Sequence, residues 1–237
     1  MNKTPIVVGI TQGDMNGIGY EVIMKALSDS EITGFCVPVV YGSPKVAAYH
    51  RKVLNITNLN FNNIRSVAEA HPKKVNIINC LGDDVHVELG KSTREGGQSS
   101  LAALEAAVTD LTAGRIDVMV TAPIDKSNIQ SGSFRFNGHT DWLKSKTGSH
   151  DALMLMISEA MKVGFVTEHL PLKDVPGAIT IGNILAKLRL LNSSLLQDFA
   201  VRGPRIGVMG LNPHAGDSGL LGHEEGDIIV PAITRAN

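Results

Sequence analysis

A layered α/β fold with a largely parallel sheet is what this sequence predicts, and three observations carry the prediction. Short runs of β-branched and apolar residues recur without polar alternation, as strands buried on both faces require. Segments with three- and four-residue apolar spacing, the helical period, lie between them. This alternation of strand and helix runs through the 237 residues without an internal repeat, a low-complexity tract or a long linker.

The expected strands are residues 6–10, 36–41, 75–80, 116–121, 163–167 and 206–209. Expected helices cover 21–27, 45–54, 98–112 and 184–191. The third helix is the clearest. Leu101, Leu104, Val108 and Leu111 share one face, Gly96-Gly97 precede its start, and Gly114 supplies a stop. Near the end, Asp227-Ile228-Ile229-Val230-Pro231-Ala232-Ile233 reads as an element entering a core. No closing strand or capping helix follows before Asn237, so a truncated product is expected.

Composition narrows the class. Hydrophobic residues make up 43% and charged residues 19%, values that fit a globular chain and not a disordered one. A formal net charge of -1 gives no basic excess, which argues against a nucleic-acid or membrane-surface binder but leaves room for a local basic pocket. Cys36 and Cys80 lack metal-type spacing and are expected to be free, buried thiols. The apolar run at residues 5–10 is too brief for a signal sequence, and no run reaches membrane-spanning length. The cytoplasm is the expected compartment.

Several familiar motifs fail. Gly90-Lys91-Ser92 ends like a P-loop, but Val85 stands where its first glycine belongs. His223-Glu224 opens like a zinc-protease helix, yet Asp227 replaces the second histidine. Gly216-Asp217-Ser218-Gly219 lacks the spacing of a nucleophile elbow. The turn Gly13-Asp14-Met15-Asn16-Gly17-Ile18-Gly19 does not have the Rossmann glycine pattern, so a Rossmann fold is not expected.

Four polar segments survive at expected strand ends, where parallel sheets carry their ligand sites. Thr11-Gln12-Gly13-Asp14 leads into the glycine-rich turn, and a tight strand-to-helix connection explains it as well as a site does. Ala122-Pro123-Ile124-Asp125-Lys126 follows the fourth strand, with Asp125 read as a helix cap and Lys126 as a solvated lysine or an anion contact. His139 and Thr140, in Phe136-Asn137-Gly138-His139-Thr140-Asp141, stand at an expected helix start; they suit either an anion or simple capping. His169 and His214 each follow an expected parallel strand. They can converge on a zinc, cobalt or manganese ion, or serve the fold alone.

Taken together, these segments resemble the 4-hydroxythreonine-4-phosphate dehydrogenase family of vitamin B6 biosynthesis. The resemblance runs from Thr11-Gln12-Gly13-Asp14 through Thr121-Ala122-Pro123-Ile124-Asp125-Lys126 and Gly138-His139-Thr140-Asp141-Trp142-Leu143. It continues through His169-Leu170-Pro171-Leu172 to Leu211-Asn212-Pro213-His214-Ala215-Gly216-Asp217 and Gly222-His223-Glu224-Glu225. It implies a layered fold like the isocitrate and isopropylmalate dehydrogenases, of which residues 1–237 are most of a two-lobed enzyme lacking the C-terminal part. It also implies a homodimer with active sites at the interface. By position, His169 and His214 become divalent-metal ligands and His139 and Thr140 substrate contacts. A third histidine ligand and much of the cofactor site are expected beyond residue 237. Met15 and Asn16 depart from the family's usual proline and alanine, the mark of a divergent subgroup.

The implied reaction is oxidation of 4-phosphohydroxy-L-threonine by NAD or NADP with a divalent metal (zinc, cobalt, manganese or magnesium). Decarboxylation to 3-amino-2-oxopropyl phosphate follows. The general base is not assigned, although Lys126 has suitable chemistry. Two rival readings stand beside it: oxidation of a four-carbon sugar-acid phosphate such as threonate or erythronate 4-phosphate, and an inactive metal-binding fragment.

Overall fold

The computed structural model describes residues 5–82, 84–132, 134–136 and 138–237. Asn137, part of the third polar segment above, lies outside them. Contacts divide the chain into two compact units, Met1–Ser149 and His150–Asn237.

The first unit is an open α/β sheet. Its strands are β1 (Ile6–Thr11), β2 (Cys36–Gly42), β3 (Phe61–Ile64), β4 (Val75–Asn79) and β5 (Val118–Thr121). They pair in parallel in the order β3-β4-β2-β1-β5. With β4 between β3 and β2, this is not the order of the dinucleotide-binding sheet. The helices are α1 (Gly19–Leu27), α2 (Ile32–Phe35), α3 (Pro44–Val53), α4 (Arg94–Thr112) and α5 (His139–Thr147).

Period-two alternation along each strand divides the core. Ile10, Val40 and Ile77 face Tyr20, Ile23 and Met24 of α1 and Val46 and Ala47 of α3. Val39 and Tyr41 face the opposite way, onto Ala103 and Ala107 of α4. The chain leaves β1 toward β2 on one side, while β5 adds on the other. The carboxyl ends of β1 and β5 therefore flank a topological switch point, the place where such sheets open a crevice.

Two details differ from expectation in this unit. Helix α4 begins at Arg94, because Thr93 caps it by accepting from Gly96 N–H; Gly96 and Gly97 lie inside the helix. A Cβ on Gly97 would come 2.0 Å from Asn128 O, so close backbone approach accounts for that glycine. Asp125 caps a turn and not a helix: it accepts from Ser127 N and Oγ at 2.8 and 2.6 Å. Those bonds, with one from Ser92, hold its carboxyl down at about 2.

The second unit contains a two-stranded antiparallel hairpin, β6 (Leu155–Ile157) with β7 (Lys162–Gly164), and the helices α6 (Val175–Ala178), α7 (Ile181–Gln197) and α8 (Val230–Ala236). A rare π-helical turn, Glu225–Ile229, runs directly into α8. Its core gathers Ile179, Ile184, Ile229 and Ala232, with Val208 and Leu211 against them.

The reading of parallel strands before His169 and His214 is corrected here. The strand expected at 163–167 is a short antiparallel hairpin arm, and residues 206–209 form no strand. Ile206 and Val208 are half-buried while Gly207 and Met209 are exposed, so the segment alternates like a strand but has no ladder partner among the described residues. Both cysteines are free, as expected, though only Cys36 is buried. Among the described residues no helix is long and apolar enough to cross a membrane.

Candidate active site

In the first unit the loops leaving β1 and β5 are locked together. Gly13 adopts φ +69°, and a Cβ there would lie 2.3 Å from Pro123 O. Asp14 N–H donates to that same carbonyl at 2.9 Å. The buried Asp14 carboxylate accepts from Asn16 N–H and from Asn128 Nδ2, both at 2.9 Å. Asp14 is thus a structural hub of the crevice wall.

Met15 and Asn16, the two departures from the family pattern, both turn inward. Met15 is fully buried in the core under α1. The Asn16 amide donates to Lys91 O and Thr93 Oγ1 and accepts from Glu88 N–H, clasping the loop that precedes α4. Their side chains serve the fold.

Helix α5 brings His139 and Thr140 together at its first turn, and both are half-buried. The helix is anchored by Trp142, fully buried among Leu101, Leu104, Val108, Ile129 and Phe134. Its N-cap, Gly138, has no side chain, and among the described residues no side chain caps the first-turn N–H groups. His139 Nε2 is buried without a hydrogen-bond partner among the described residues. Burial pushes the His139 pKa below its ordinary value, and the Lys126 charge adds to the effect.

Lys126 itself reaches this point. A Cβ built on Gly138 would lie 3.7 and 3.9 Å from its Cε and Nζ. The sequence left the lysine open between a solvated face and an anion contact. It stands twelve positions before Gly138, and only the fold brings the two together. Together they form an ammonium, a neutral imidazole, a hydroxyl and uncapped helix amides, the chemistry of an anion site.

His169 and His214 belong to the second unit. His169 has φ +54°, unusual for a residue with a side chain, and is exposed. Glu168 Oε2 approaches its Nδ1 to 3.9 Å. His214 is also exposed; its N–H donates to Asn212 Oδ1 at 2.9 Å. No three histidine, cysteine, aspartate or glutamate side chains gather into a metal site among the described residues. Two accessible imidazoles, one with a carboxylate beside it, suit a divalent ion as an incomplete ligand set.

Comparison with known proteins decides the family. The model for the pyridoxal phosphate biosynthetic protein PdxA matches residues 34–237. The chain belongs to the PdxA family. A PdxA-family relative from Bacteroides thetaiotaomicron, named 4-hydroxythreonine-4-phosphate dehydrogenase, is 46% identical over 98% of this chain. The chain spans 64% of that relative's length. A relative of the same name from Sulfurihydrogenibium is 37% identical over 96% of the chain, which spans 70% of it.

Solved structures agree. The Klebsiella pneumoniae 4-hydroxythreonine-4-phosphate dehydrogenase superposes with a TM-score of 0.88 at 28% identity, covering 99% of this chain and 71% of that one. The Burkholderia phymatum enzyme gives 0.84 at 29% identity, covering 98% and 71%. The PdxA chain therefore has the isocitrate dehydrogenase-like α/β fold of these neighbours.

Proposed function

We propose that the protein carrying this chain oxidises 4-phosphohydroxy-L-threonine with NAD or NADP and a divalent metal, and that the resulting β-keto acid decarboxylates to 3-amino-2-oxopropyl phosphate in pyridoxal phosphate biosynthesis. Membership of the PdxA family, with relatives named 4-hydroxythreonine-4-phosphate dehydrogenase matching nearly the whole chain, carries the reading. The geometry that fits it is the unpartnered His139 Nε2 beside Lys126 at an uncapped helix start.

In this reading His139 and Thr140 hold the substrate, with the α5 amides and the Lys126 ammonium balancing its negative charge. The lowered pKa of His139 keeps the imidazole neutral near pH 7, so it orients a substrate oxygen without adding a second full charge beside Lys126. Asp14, tied to Asn16 and Asn128, keeps the crevice wall rigid. His169 and His214 would hold the metal, zinc, cobalt, manganese or magnesium, whose chemistry is Lewis-acid polarisation of the hydroxyl being oxidised. The nicotinamide supplies the hydride acceptor.

A cytoplasmic homodimer with active sites at its interface belongs to the same reading. The exposed Met156, Ile157 and Met161 on the β6–β7 hairpin support an apolar contact with a second copy. The inward-facing Met15 and Asn16 give no support to the sugar-acid rival.

The test follows nicotinamide reduction with 4-phosphohydroxythreonine and a divalent metal. Turnover is expected, with loss on chelation and in His169→Ala. Full activity of His169→Ala would refute the metal assignment. Turnover of threonate 4-phosphate without turnover of the amino-acid substrate would refute the substrate.

A further inference from the structure

Beside His169, and beside the loop that carries His214, stands a carboxylate with one buried oxygen that has no hydrogen-bond partner among the described residues. Glu168 is adjacent to His169. One of its oxygens, Oε2, is buried, has no hydrogen-bond partner among the described residues, and is the oxygen that lies 3.9 Å from His169 Nδ1. Glu225 is 8% exposed and opens the π-helical turn. Its Oε1 accepts from Asn212 N–H at 2.6 Å, while Oε2 is buried and unpartnered.

The loop around His214 packs close to that carboxylate, although the atoms nearest a Cβ on Gly210 or Gly216 are backbone, Asn212 O at 3.2 Å and Gly222 O at 2.6 Å. A Cβ on Gly210 would lie 3.3 Å from Glu225 Oε1, and one on Gly216 would lie 3.3 Å from Oε2. Asn212, held by Glu225 through its backbone, passes the constraint on. Its side chain accepts from His214 N–H and donates to Leu221 O, and its carbonyl accepts from Ala215 N–H. Burying a carboxylate with one oxygen unpaired costs free energy.

We propose that Glu168 and Glu225 are positioning residues that hold His169 and His214 ready for a divalent cation and set its affinity. The inference rests on the assignment of those histidines as ligands. A carboxylate beside the ring nitrogen turned away from the metal orients the imidazole and makes it a better donor, and loss of such a partner weakens metal binding ten- to a hundredfold. Glu168 takes that part for His169. Glu225 acts one step further back, fixing the 211–217 loop through Asn212.

The experiment titrates the full-length protein that carries this chain with Co²⁺ alone, following its visible absorption. Amide exchange at Asn212 and the thermal midpoint of the metal-free protein are measured alongside. Glu225→Asp keeps the charge but shortens the reach, and it is expected to weaken Co²⁺ binding about ten- to a hundredfold and to speed Asn212 exchange. Glu225→Gln keeps the reach and is expected to bind within about threefold of the unmodified chain. Glu168→Gln is expected to weaken binding by roughly tenfold while leaving Asn212 exchange and the thermal midpoint in place. Unchanged affinity in both Glu225→Asp and Glu168→Gln, or equal loss in Glu225→Asp and Glu225→Gln, overturns the proposal. No Co²⁺ binding by the unmodified full-length protein overturns the ligand assignment itself, and this inference with it.

Discussion

His139 opens helix α5 while His214 stands in a loop, and the two are held by different forces. His139 rides on a helix whose apolar face is locked by the buried Trp142. His214 rides on an exposed loop held by polar clasps, Asn212 to Glu225 and Asn212 to Leu221. Packing is non-directional and strong in sum, so it fixes a helix as a body. Hydrogen bonds are directional and individually modest, so they fix one backbone trace and fail one at a time. The surroundings of His139 should therefore tolerate polar change and suffer from cavities, and the loop around His214 should do the reverse.

The largest expected effect tests the packed side. Trp142→Ala should cost about 3–5 kcal/mol, since it empties a fully buried aromatic site. Urea unfolding followed by circular dichroism measures it; a loss under about 1 kcal/mol would mean that packing does not hold α5. A middle-sized effect belongs to the clasp within the first unit. Asn16→Ala should cost about 1–3 kcal/mol, because three hydrogen bonds to the loop before α4 disappear. Hydrogen exchange should quicken at the Glu88 amide, while the Gly90 amide, bonded to the Asn16 main-chain carbonyl, keeps its protection. Equal exchange at both would show the loop opening as a unit.

The smallest effect is electrostatic. The folded pKa of His139 lies below 6.5, so the unfolded chain binds a proton first as pH falls. The corresponding stability is complete above pH 6.5 and declines below it, toward the lowered folded value. An NMR titration of the His139 ring should give a midpoint under 6.5. Lys126→Met should raise that midpoint only part of the way, because burial is the larger cause. A full return to 6.5 would transfer the effect from burial to charge.

The same contrast explains what could be read from sequence. β1, β2, β4 and β5 were legible because strands buried on both faces leave unbroken apolar runs. β3 was not, since Asn62 and Asn63 fill the middle of this edge strand. Residues 206–209 carry a strand's composition, but composition does not supply a pairing partner. His139 and Thr140 were legible as residues of a helix start, whereas the parallel strands expected just before His169 and His214 are not there. The approach of Lys126 to Gly138 was not legible, because it depends on how two loops close in space. Nor was the burial of Glu225 beside the less buried Glu224: adjacent glutamates look alike until a π-helical turn points one of them inward.

Trp142 is the chain's single tryptophan, and it lies three residues beyond His139 with the Lys146 ammonium 5.6 Å above its ring. Its emission therefore comes from one place only. Light from that one indole is a built-in optical gauge of the first turn of α5, so an anion arriving at His139 and Thr140 can be followed without a label, a coupled assay or a cofactor.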